Sequence, residues 1–107
     1  MMEDATFGGY LAVHHRPPGF AGSDGNAYSA EVYVDDEPCE DGRYGAAVLF
    51  VRWSGAGDHP DGHIETEYLA FGDTTEEAGE AIQRMTLYEL KEHLDRLIEN
   101  RKDISDW

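Results

Sequence analysis

The sequence predicts an α+β fold: a four-stranded antiparallel β-meander with a C-terminal helical pair packed on one face, in the order ββββαα. Three observations predict it. The N-terminal part carries short alternating runs rich in β-branched and aromatic residues, separated by clusters of glycine, proline and aspartate. The C-terminal part changes period, with two apolar stripes at three- and four-residue steps, each opened by a Thr-x-x-Glu capping box. Residues 46–53, AAVLFVRW, are apolar on both faces, which marks the middle strand of a sheet.

Residues 1–5 read as a loose start. Residues 6–15, TFGGYLAVHH, read as strand one, with Phe7, Gly9, Leu11 and Val13 alternating against Gly8, Tyr10, Ala12 and His14. Residues 16–26 read as a loop, through Pro17-Pro18, three glycines and an Asp-Gly pair. Residues 27–34 form strand two, with Tyr28, Ala30, Val32 and Val34 on one side and Glu31 and Tyr33 on the other. Residues 35–42, DDEPCEDG, are an acidic turn. Strand three lies within residues 43–54; Ala47, Leu49, Val51 and Trp53 share one face, and Val48, Phe50 and Arg52 the other. Residues 55–63 are a second long loop, and residues 64–71 form strand four.

The first helix opens at Thr74 with Glu77 and buries Ala78, Ala81, Ile82 and Met85. The second opens at Thr86 with Glu89 and runs to about Lys102, with Leu87, Leu90, Leu94, Leu97 and Ile98 on one stripe. Arg101 and Lys102 suit its negative end. Residues 103–107 fray unless Trp107 docks.

The 107 residues make one domain. No apolar run reaches the roughly 20 residues of a membrane span, and no basic-then-apolar leader opens the chain, so the expected compartment is the cytoplasm. The single Cys39 agrees with reducing surroundings.

Charge is the strongest signal: 23 acids against eight bases, net −15. Residues 1–74 hold 14 acids and three arginines, so the excess is greatest in the strand-forming part. A polyanion is repelled by phosphate backbones and anionic lipid, which excludes nucleic acid and membranes as partners. The spread of acids along the chain and the scarcity of lysine fit a halophile-like surface. The other explanation is a basic partner protein, with the chain as an acidic inhibitor or immunity-type protein.

If the helices cover Leu11, Val13, Val32, Val34, Leu49, Val51, Ile64 and Tyr68, the opposite sheet face is left open. Its interaction residues are then Tyr10, Tyr33, Val48, Phe50, Arg52, Leu69 and Phe71, with Glu31, Glu65 and Glu67 at the rim. An aromatic patch with a charged rim is the form of a protein-interaction surface. The expected function is a non-enzymatic interaction module, acting as a homodimer or with another protein. The alternative is a metal- or small-ligand-binding protein using loops 16–26 and 55–63. Its divalent-metal ligands come from His14, His15, His59, His63, Asp58 and Asp61. Against that alternative, His14 and His15 would point to opposite faces of a strand, and Pro60 and Gly62 prevent a helical His59/His63 pair. No cofactor motif, serine-nucleophile elbow or distinct carboxylate pair is present, so no catalytic residue is assigned.

Overall fold

A computed structural model describes residues 5–100. The elements are α1 (Phe7–His14), β1 (Gly19–Ala21), β2 (Ala27–Val34), β3 (Tyr44–Trp53), β4 (Pro60–Glu65), β5 (Ala70–Gly72), α2 (Thr75–Gln83) and α3 (Leu87–Asn100). The fold is the expected α+β type, with an antiparallel meander in the order β1-β2-β3-β4. An extra strand, β5, pairs with β3 beyond the end of β4. The expectations for residues 1–4, for Arg101 and Lys102 at a helix end, and for the tail with Trp107 lie outside the described residues.

The meander begins one element later than the sequence suggests. Within the expected strand of residues 6–15, Phe7–His14 is a helix. The Thr6 hydroxyl caps it, accepting from the Gly9 N–H at 3.0 Å, and His15 ends it in the left-handed region at φ 56°. Phe7 and Leu11 lie on one strand face at period two, but they are also one helical turn apart. Burial of Phe7 decides between the two. The Phe7 N–H donates to the Met85 carbonyl at 2.8 Å and the Leu87 N–H to the Ala5 carbonyl at 2.8 Å, so the junction of α2 and α3 anchors the start of α1. A Cβ on Gly8 would stand 3.1 Å from Gln83 Cβ, so the glycine brings α1 close to α2.

Strand one of the meander is instead Gly19–Ala21, inside the expected loop, with Phe20 opposite Tyr28. Expected strand four is two short strands. β4 pairs with residues 49–53 of β3 and β5 with residues 44–46. Between them Thr66 bridges the gap: its hydroxyl accepts from the Val48 N–H and its N–H donates to the Val48 carbonyl, both at 3.0 Å. That hydroxyl substitutes for a ladder acceptor, and it accounts for a buried threonine in an otherwise apolar core.

Both helix starts form as expected. The Thr74 hydroxyl accepts from the Glu77 N–H at 3.1 Å. At Thr86 the box closes in both directions, Glu89 N–H to Thr86 at 3.0 Å and Thr86 N–H to Glu89 at 2.9 Å. The helices bury Phe7, Ala78, Ile82, Leu90, Leu94 and Ile98 against Tyr28, Ala30, Ala46, Val48, Phe50 and Ile64.

That core corrects the assignment of faces. Tyr28, Ala30 and Ile64 face the helices, and Val32 and Val34 pack against the same core. On β3, however, it is Val48 and Phe50 that are fully buried there. Leu49, expected beneath the helices, stands opposite Glu31 and Glu65 on the far face. Val51 and Trp53 share that face. Arg52 is expected with Val48 and Phe50 on the open face. Its charge is met instead at the sheet end, where Nε donates to Asp61 Oδ1 at 2.8 Å and Nη2 to the Asp61 carbonyl at 3.0 Å. A register shift at Arg52/Trp53 brings Asp61 within reach.

Candidate functional site

The described helices lie on one side of the sheet; the other carries no described helix, although Ala47 and Val51 on it are buried. The uncovered face is built from the odd-numbered residues of β2 and β3. Cross-strand rows run Tyr33–Ala47, Glu31–Leu49–Glu65 and Ser29–Val51–His63. At one end the Trp53 indole N–H donates to the Ser29 hydroxyl at 2.9 Å, which lays the ring across β2. At the other end is an aromatic cluster. Tyr33, Tyr68 and Phe71 are 40%, 38% and 41% exposed, far more open than core rings such as Phe50.

Local sequence explains the cluster. Gly45 lies opposite Phe71 in the β3–β5 register. A Cβ on Gly45 would stand 2.5 Å from the Tyr68 ring, so the glycine makes the seat on which Tyr68 lies. Tyr68 meets Phe71 edge to face at 5.9 Å between centroids. The Arg43 guanidinium lies over the Phe71 ring at 4.9 Å, and its Nε donates to Asp41 at 3.0 Å. The Tyr68 hydroxyl donates to the Asp35 carboxylate. This bond pushes the Tyr68 pKa up to about 12 and, with the Glu37 N–H, holds the Asp35 carboxyl below its usual value. Tyr33 is raised as well, chiefly by the Asp35 charge.

The residues expected on this face divide. Tyr33 and Phe71 belong to it. Val48 and Phe50 are in the core, Arg52 is bound to Asp61, and Leu69 packs against the core cluster. Tyr10 is on α1, stacked on His14 at 4.2 Å, because its segment is helical. Tyr68, Leu49 and Val51, expected under the helices, are on the opposite face, Val51 buried there; Trp53 shares that face. The signal for Tyr68 was Gly45, a glycine inside a strand, which marks close approach by another group.

The histidines expected as metal ligands do not converge. His14 and His15 are at the end of α1. His59 Nδ1 bonds Asp58 at 2.7 Å, and Asp58 also accepts from Ser54 Oγ, which makes this a turn. Asp61 is engaged by Arg52, and His63 lies in β4 opposite Val51. Among the described residues, no three of His, Cys, Asp and Glu are grouped to hold a metal ion. No helix among them is long and apolar enough to cross a membrane. The chain matches no family model, no curated protein and no solved structure.

Proposed function

We propose that this protein is a non-enzymatic interaction module that docks a basic partner protein on its open sheet face. The observation that carries the reading is the exposed Tyr33–Tyr68–Phe71 cluster on the sheet face that no described helix covers. Large rings half open to water are costly unless something covers them, and aromatic anchors dominate interface energetics.

Charge selects the partner. Glu31 and Glu65 rim the face, Asp35 borders it, and the chain carries net −15. A second copy would add its own −15, whereas a cationic partner is drawn in and orientated by the field. The face already accommodates a guanidinium, that of Arg43 over Phe71.

The test combines sedimentation with amide chemical-shift mapping, using capped tetra-arginine as the probe. Shifts should concentrate around Tyr33, Tyr68 and Phe71, and affinity should fall about fivefold or more in Tyr33→Ser/Phe71→Ser, which keeps every charge. Shifts scattered over the acidic surface and unchanged in that variant would refute the face as a docking site. A dimer that tightens with KCl and dissociates in the same variant would replace the basic partner with a second copy.

A further inference from the structure

The outer edge of β2 is a separate feature and does not depend on the open face. In β2, residues 29, 31 and 33 exchange backbone bonds with β3; the Asp35 N–H continues that series, donating to the Gly45 carbonyl at 3.1 Å. The even-numbered residues point their backbone groups the other way. β1 satisfies these only as far as Ala30, whose N–H donates to the Pro18 carbonyl at 3.0 Å. Pro18 has no N–H to return, so the edge stops pairing there. Beyond it, among the described residues, no group bonds the N–H of Val32 or of Val34.

The chain that could have covered this edge departs from it. α1 ends at His14, and His15 turns the backbone through the left-handed region. What remains is a groove of about 250 Å³ between α1 and β2, with Phe7, Leu11, Pro17 and Val32 among its walls. An unpaired edge beside an apolar groove is the arrangement by which a sheet accepts an added strand.

We infer that the β2 edge is a strand-addition site for a short, extended, basic segment of a partner protein. Alternate backbone groups of that segment bond Val32 and Val34, and its apolar side chains enter the groove. Charge sets the occupant. Glu31 and Asp35 flank the free stretch, and Asp36 and Glu37 follow it. Two β2 edges paired with Val32 against Val34 would put Glu31 of each copy opposite Asp35 of the other, which is unfavourable. Lysine or arginine at those positions reverses the sign.

The probe is a capped hexapeptide of alternating valine and lysine, in three forms: unmodified, N-methylated on its odd residues, and N-methylated on its even residues. Only one alternate set faces β2, so one methylated form should lose about fivefold in affinity per bond removed while the other binds as the parent does. The Val32 and Val34 amides should exchange rapidly in the free protein and slow when peptide is bound. Those of Glu31 and Tyr33 should be protected throughout. Equal weakening by both methylated forms would overturn strand addition and leave only charge attraction. Absence of binding would overturn it too. Val32 and Val34 amides that become protected with protein concentration alone would give the edge to a second copy. Open-face binding is read separately, because Tyr33→Ser/Phe71→Ser leaves the β2 backbone intact.

Discussion

The two faces of β3 are nearly equal in sequence and differ in what lies over them. Ala46, Val48 and Phe50 are buried beneath the helices; Ala47, Leu49, Val51 and Trp53 are on the side without a described helix, where Ala47 and Val51 are still buried and Leu49 and Trp53 are partly exposed. Both sets are apolar, so hydrophobicity does not separate them. Their neighbours do. On the covered side Phe50 lies between Ala30 and Ile64, a small and a branched residue that leave room for helix side chains. On the open side Leu49 lies between Glu31 and Glu65, two carboxylates that must stay in water. A central strand can therefore be apolar throughout, and the strands beside it settle which face is core.

The largest expected effect separates the faces directly. Phe50→Ala should cost about 3–5 kcal/mol, a cavity in the close-packed core. Leu49→Ala, at a partly exposed position away from the helices, should cost about 1 kcal/mol. Urea midpoints measured side by side check this; equal losses would show that the open face is covered after all. Next, Gly45→Ala should cost about 1–3 kcal/mol, because its methyl group displaces the Tyr68 ring. Melting temperature and near-ultraviolet dichroism of the tyrosines read this change.

Thr86→Ala should cost about 1 kcal/mol through the α3 cap alone, and hydrogen exchange in the first turn of α3 would rise while the open face is unaffected.

The smallest effect is a pH signature of the Tyr68–Asp35 bond. Asp35 is lowered from 3.8, so its contribution is present above that value and lost as pH falls through the folded pKa. Tyr68 is raised from 10.0 to about 12, so its contribution is complete below 10.0 and lost as pH rises toward about 12. The melting difference between the protein and Tyr68→Phe should thus form a plateau between these limits and shrink at both ends. A difference independent of pH would mean that the bond does not form.

Much of the architecture was legible locally. Thr74–Glu77 and Thr86–Glu89 announce helix starts because capping needs only residues three apart. Leu90, Leu94 and Ile98 announce the buried side of α3 because helical period is a local property. The antiparallel meander follows from short strands separated by turn residues. The acidic surface is composition alone.

The remaining features required the whole chain. Whether Phe7 and Leu11 belong to a strand or a helix depends on the core that receives Phe7 and on backbone bonds to Met85 and Leu87, far away in sequence. Whether Arg52 marks a solvent face depends on Asp61, brought in by a register shift. The site depends on Gly45, on a threonine that divides the last strand in two, and on Tyr68 folding across β3. Periodicity and capping are written in neighbouring residues, so the sequence alone determined them. Choice of face, strand breaks and the aromatic cluster arise from competition among distant segments for one core, and only tertiary packing decided them.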